Sequence, residues 1–135
     1  MAEGIRRRIL LVDDDPAVLL SLKAVLELSG FEVDSVLSAA QARSRLRCLR
    51  YHMVITDMKM EEDRAGFQVI KGARESGCDP AIVILTGHPG EASEWKEEGA
   101  HFMLVKPVAP DLLLRQIKEL LIQHEDRKRQ HDSSS

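Results

Sequence analysis

A doubly wound α/β domain built on one parallel five-stranded sheet is the fold class this sequence predicts. Three apolar runs carry that reading: Ile9-Leu10-Leu11-Val12, Met53-Val54-Ile55 and Ala81-Ile82-Val83-Ile84-Leu85. Each is too short for a helix and does not alternate, so each reads as a strand covered on both faces. Stretches of helical spacing separate them, bounded by capping residues and breakers. Strands alternating with helices in this way imply a parallel sheet with helices on both sides. Right-handed crossovers leave few topologies, and the flavodoxin-like (βα)5 order 2-1-3-4-5 is the common one for five such units.

The elements follow in order. The first strand stops at Asp13-Asp14-Asp15-Pro16. Asp15 is a good N-cap and Pro16 a good first helical residue, so a helix begins there. Val18, Leu22, Val25 and Leu26 form its apolar stripe, and Ser29-Gly30 ends it. Phe31 to Leu37 carries Glu32, Asp34 and Ser35, which suits an edge strand. A helix from about Ala39 to Leu49, with Ala42, Leu46 and Leu49 on one face, leads into the strand that ends at Asp57.

Beyond Asp57 a polar loop, Met58 to Ala65, precedes a helix from about Gly66 to Glu75 with Phe67 and Ile70 on its stripe. Gly77-Cys78-Asp79-Pro80 breaks it, and the third apolar strand runs to Thr86-Gly87. Glu91 to Glu98 is expected as a short, acidic helix with only Ala92 and Trp95 as apolar residues. His101 to Val105 is the last strand, closed by Lys106-Pro107. Pro110-Asp111 opens a final helix carrying Leu113, Ile117, Leu120 and Leu121. The domain is placed at residues 8–123, with 124–135 a polar tail or the start of a linker and Asp132 to Ser135 disordered.

Bulk composition narrows the function. At 135 residues, 44% hydrophobic and 30% charged, the chain reads as one soluble domain. It has no apolar run long enough to cross a bilayer, and Met1-Ala2-Glu3-Gly4 lacks the apolar core of a leader, so the cytoplasm is expected. The net charge of −3 gives no general pull toward nucleic acid, and no membrane contact is expected. Arg6-Arg7-Arg8 and Arg127-Lys128-Arg129 read as solvated ends, and the helix-2 arginines Arg43, Arg45, Arg47 and Arg50 as a solvated face. Cys48 and Cys78 read as reduced structural thiols, and the five histidines show no ligand spacing. Met53, Met58, Met60 and Met103 read as packing residues.

In this topology the crevice lies between strands 1 and 3, so Asp13, Asp14 and Asp57 open into one pocket, with Thr86 and Lys106 at the same edge. Three carboxylates in one pocket repel, and a hard divalent cation resolves that; Mg²⁺ takes one or two carboxylates plus waters and phosphate oxygens. Lys106 suits a phosphate and Thr86 supplies a hydroxyl donor. An aspartate can form an aspartyl-phosphate, and phosphoryl transfer needs mainly positioning and charge neutralisation. The inferred chemistry is Mg²⁺-dependent phosphorylation of Asp57.

Four segments in order carry a family resemblance: Ile9 to Pro16, Val54-Ile55-Thr56-Asp57-Met58-Lys59-Met60, Leu85-Thr86-Gly87 and Val105-Lys106-Pro107. With these the chain resembles the receiver domain of bacterial response regulators, CheY-like phosphoacceptors of two-component systems, across roughly Arg8 to Gln123. The resemblance implies that Asp57 accepts a phosphoryl group from a sensor histidine kinase or histidine phosphotransfer protein. It implies Mg²⁺ or Mn²⁺ held by Asp14, Asp57 and the Lys59 backbone carbonyl, with Asp13 acting largely through water. Thr86 and Lys106 would contact phosphoryl oxygens. Such domains are regulatory and not enzymes in the usual sense; a downstream protein or an output domain reads them, and homodimers are a family habit. Lys59 and His88 stand where the family tunes phosphoryl lifetime, and the Lys106-Pro107 bond is often cis there.

The chain departs from that family pattern in four places. Glu61 stands where a proline is common, and the loop to Gly66 is slightly long. The segment between Thr86 and Gly99 is short and polar. Met103 occupies a position usually held by Tyr or Phe, while Phe102, one place earlier, points to the opposite sheet face. These departures make a docking module independent of phosphorylation the alternative function. An aspartate phosphatase is disfavoured because Lys59 stands where its second aspartate would be. A flavodoxin is disfavoured because Asp13-Asp14-Asp15 would repel a flavin phosphate.

Overall fold

The computed structural model describes residues 6–62 and 64–134; Met1 to Gly4 and Ser135, on which the leader and tail expectations partly rest, lie outside them. The five strands are β1 (Arg8–Val12), β2 (Glu32–Val36), β3 (Met53–Thr56), β4 (Ala81–Thr86) and β5 (Phe102–Val105). They form one sheet in the order β2-β1-β3-β4-β5, every neighbouring pair parallel. The expected topology is therefore the observed one, with β2 as the polar edge. All residues of β3 and β4 are buried, which explains their unbroken apolar sequence.

The helices are α1 (Pro16–Leu28), α2 (Ala39–Cys48), α3 (Ala65–Glu75), α4 (Trp95–Glu98) and α5 (Pro110–Ser134). They split the core in two. Alternate strand residues Ile9, Leu11, Met53, Ile55, Val83 and Leu85 pack with α1 and α5. Leu10, Val12, Val54, Ile82 and Ile84 pack with α2 and α3, and Trp95 of α4 joins that side. Phe102 packs on the first side and Met103 on the second, as the strand alternation predicts. Met53 and Met58 are wholly buried and Met60 nearly so, which bears out their packing role.

Two elements differ from expectation. In place of one helix over Glu91 to Glu98 there is a 3-10 turn, Pro89–Ala92, and then the single turn of α4. Gly90 and Ser93 are poor helix formers, and Glu94, Glu97 and Glu98 repel at helical spacing. Gly99, at φ 111°, then ends the turn in the left-handed region.

The second difference is at the C-terminus. The sequence predicts a helix ending near Gln123 and a disordered stretch from Asp132, yet α5 continues to Ser134. The extension has few apolar residues but finds polar partners on the body. His124 is buried, with its Nε2 2.9 Å from the carbonyl of Asp79. Arg7 grips Glu125, and the Lys128 ammonium donates to the Asp79 carbonyl at 3.2 Å. Arg8 also pairs with Glu32 and Arg129 with Asp126, so four of the terminal basic residues are engaged and not merely solvated.

Candidate functional site

The site forms where β1, β3, β4 and β5 end together. Two backbone bonds extend the sheet ladder past the strands: Asp57 N–H donates to Val12 O at 2.9 Å, and Asp13 N–H donates to Val36 O at 3.3 Å. These hold both aspartates rigidly at the sheet edge, which is why a carboxylate directly after an apolar run becomes a positioned group. Asp15 caps α1 through Ala17 N–H at 3.0 Å, so the chain turns away and leaves Asp14 at the rim.

Asp13, Asp14 and Asp57 each place a carboxylate oxygen within 4.8 Å of the others. Asp13 is buried, Asp57 half-buried and Asp14 exposed. The Lys106 ammonium bridges the inner two, 2.7 Å from Asp13 Oδ2 and 3.1 Å from Asp57 Oδ2. The other oxygens of that pair are also engaged, Asp13 Oδ1 by Asp15 N–H at 3.0 Å and Asp57 Oδ1 by Met58 N–H at 2.7 Å. Burial alone would depress the Lys106 pKa, but its hydrogen bonds to Asp13 and Asp57, and their charge, raise it above the ordinary lysine value. Lys106 is therefore a full cation throughout the physiological range.

One lysine cannot neutralise three carboxylates. An all-oxygen donor set with one exposed member fits a hard divalent cation such as Mg²⁺, which keeps several waters. Asp13, Asp14 and Asp57 are the residues that could hold it.

Thr86 is fully buried at the end of β4, and its hydroxyl oxygen accepts His88 N–H at 3.0 Å. The hydroxyl proton remains available to donate. Lys106 N–H donates to Thr86 O at 2.8 Å, coupling the two signature residues through the backbone, and the Lys106-Pro107 peptide is cis. Lys59 lies in the loop between buried Met58 and Met60, with an exposed side chain. The structure thus brings Asp13, Asp57 and Lys106 into direct contact with Asp14 alongside, whereas Thr86 makes its bond to His88 and not to the acidic cluster.

Two residues matter more than the sequence suggests. Gly66 donates its N–H to Met58 O at 2.8 Å, and a Cβ there would lie 2.6 Å from Asp57 O and 2.7 Å from Met58 Cα. Its only sequence signal is a glycine opening a helix after a polar loop. Glu61 reaches the N-terminus of α2, a contact that its local sequence does not announce.

A family model described as "Response regulator receiver domain" matches residues 9–118. The alginate biosynthesis transcriptional regulatory protein AlgB of Pseudomonas putida is 35% identical over 114 residues, covering 83% of this chain and 25% of that protein. The chain thus spans about a quarter of the length of that curated relative. Among solved structures, a CheY-like receiver domain protein from Methanospirillum hungatei superposes with a TM-score of 0.84 at 30% identity, covering 91% of this chain and 99% of that one. Chemotaxis regulator CheY4 of Vibrio cholerae gives 0.78 at 27% identity, covering 86% and 99%.

Proposed function

The chain belongs to the response regulator receiver domain family, and from that premise we propose that Asp57 accepts a phosphoryl group from the phosphohistidine of a sensor histidine kinase or histidine phosphotransfer protein. Domains of this family are regulatory phosphoacceptors of two-component signalling and not enzymes in the usual sense. The observation that carries the assignment to Asp57 is its place in the cluster: it shares the Lys106 ammonium with Asp13 and lies within reach of Asp14.

In the proposed transfer a carboxylate oxygen of Asp57 attacks phosphorus and the P–N bond breaks; the phosphohistidine reacts with its second ring nitrogen protonated, so the imidazole leaves neutral and keeps that proton. The product is an acyl phosphate. A Mg²⁺ or Mn²⁺ ion held by Asp13, Asp14, Asp57 and the Lys59 carbonyl would supply charge neutralisation for the incoming phosphoryl oxygens. Lys106, already a hydrogen-bond donor at Asp57, transfers one bond to a phosphoryl oxygen. Thr86 donates its hydroxyl proton to another once its side chain turns from His88. The phosphoaccepting unit is placed at residues 8–123, with the remainder of α5 packed on its base.

Output would pass to a downstream protein or output domain. Met103 supports an altered readout: it packs against the same core cluster as Trp95, at a position where the family resemblance implies an aromatic ring. The second reading, docking without phosphorylation, rests on that substitution and on the reduced α4.

Intact mass after incubation with acetyl phosphate, with and without Mg²⁺, tests the proposal. A Mg²⁺-dependent phosphoryl adduct in the wild type, absent from Asp57→Asn, is the expected result. No adduct in a folded, metal-binding protein favours the docking module.

A further inference from the structure

The loop from Met58 to Arg64 carries Lys59 and connects Asp57 to α3. Met58 and Met60 turn into the core, leaving Lys59 and Glu61 on the outer side of the chain. Glu61 is exposed, but its carboxylate turns back onto the protein. Its Oε2 and Oε1 both accept the backbone N–H of Ala39, at 3.0 and 3.2 Å. Ala39 is the first residue of α2, and its N–H is one that the helix leaves unsatisfied. Ser38 caps a different amide, Gln41 N–H at 3.2 Å. The carboxylate therefore adds a charge-assisted bond and favourable placement at the positive end of the helix dipole.

We propose that Glu61 is a positioning residue for the divalent-cation site, holding the Lys59 segment in place by tethering its loop to the N-terminus of α2. This deepens the phosphoacceptor reading and rests on its metal site. Within the loop, Met60 N–H and Ala65 N–H both donate to Glu62 O, at 3.1 and 3.2 Å, and Gly66 N–H donates to Met58 O at 2.8 Å. Those bonds close the loop on itself and on the start of α3. The Glu61 bond joins it to a different element on the far side, 22 residues back in the chain. That bond adds a fixed point outside the loop to the buried flanking methionines and the loop's own backbone bonds.

Mn²⁺ affinity of the otherwise unmodified chain, measured from the EPR signal of free Mn²⁺, provides the test, alongside hydrogen exchange of the Ala39 amide and the urea midpoint. Glu61→Ala is expected to weaken Mn²⁺ binding about tenfold, at the low end of the effect of outer-layer contacts, and to speed Ala39 exchange in metal-free protein. Glu61→Gln keeps an oxygen for the Ala39 N–H and is expected to bind Mn²⁺ close to wild type. Unchanged affinity in Glu61→Ala, with only the urea midpoint lowered, would make the residue a helix stabiliser and overturn the inference. Equal weakening in both variants would assign the effect to charge acting through space, which also overturns it. A wild-type chain that binds no Mn²⁺ would remove the metal site and this inference with it.

Discussion

Arg7 and Glu125, 118 residues apart, meet in a two-pronged ion pair: the guanidinium Nε and a terminal nitrogen donate to the two carboxylate oxygens at 2.7 and 2.6 Å. The pair ties the residue just before β1 to the second half of α5. It lies at the base of the sheet, opposite the acidic cluster, and accounts with His124 and Lys128 for the persistence of α5 past its apolar stripe.

Breaking that pair should loosen the end of α5. Exposed single pairs contribute little, but forked geometry raises the figure, so Glu125→Ala is expected to cost about 1 kcal/mol in urea unfolding. Arg7→Lys should cost nearly as much, because an ammonium cannot reproduce the fork. The hydrogen bond from Arg7 depresses the Glu125 pKa below its usual 4.5. This contribution is therefore present above about pH 4.5 and is lost as pH falls through the lower, folded-state value. Equal urea midpoints for Arg7→Lys and wild type would show that the fork contributes nothing.

Acid should also weaken the base of the sheet through two histidines. His52 Nδ1 accepts Arg8 N–H and His101 Nδ1 accepts Ile82 N–H, each at 2.9 Å, and a protonated ring cannot accept either. Burial is the main force lowering both pKa values; Arg7 is the next largest for His52 and His124 for His101. Because both folded-state values lie below 6.5, the unfolded chain binds more protons. Stability is full above about pH 6.5 and falls as pH drops through the folded-state values. His101→Asn, whose amide oxygen can accept but not titrate, should flatten the slope of urea stability between pH 7 and 5. An unchanged slope would exclude His101.

Gly66→Ala separates packing from helix propensity. Alanine normally stabilises a helix over glycine by up to about 1 kcal/mol. Here its Cβ would press on backbone atoms of Asp57 and Met58, which cannot swing aside. A net loss of about 1–3 kcal/mol is expected, from overpacking, together with slower phosphorylation by acetyl phosphate. A gain in stability would show that the close approach relaxes freely.

Lys106→Met should move two properties in opposite directions. The ammonium and a divalent cation neutralise the same carboxylates, so removing the lysine should tighten Mn²⁺ binding. It should also slow adduct formation on Asp57 by at least tenfold, since one transition-state donor is lost. Loss of both together would point to unfolding of the site, which the urea midpoint would report.

How far the site was legible depended on whether its residues lie at strand ends. Asp57, Thr86 and Lys106 each follow an apolar run, and a parallel sheet gathers such ends at one edge, so their neighbourhood follows from the pattern alone. The Glu61–Ala39 bond does not, because it links a loop to a helix end with no periodicity between them. The α4 region was legible only in composition: its acidity was plain, but its division into a 3-10 turn and one helical turn depended on Gly90, Ser93 and local repulsion.

By itself the sequence determined the buried strands and the two-sided core, because burial on both faces leaves an unbroken apolar run few alternatives; the strand order, and with it the gathering of Asp13, Asp14 and Asp57, followed as the common arrangement of five such units. It also placed Met103 and Phe102 on opposite faces through the two-residue period of a strand. Only the tertiary structure decided that Lys106 bridges Asp13 and Asp57, that Thr86 rests against His88, and that α5 continues on polar contacts from Arg7 and Asp79. Those contacts join residues distant in the chain through side-chain geometry, and hydrophobic periodicity carries no record of which polar atoms will meet.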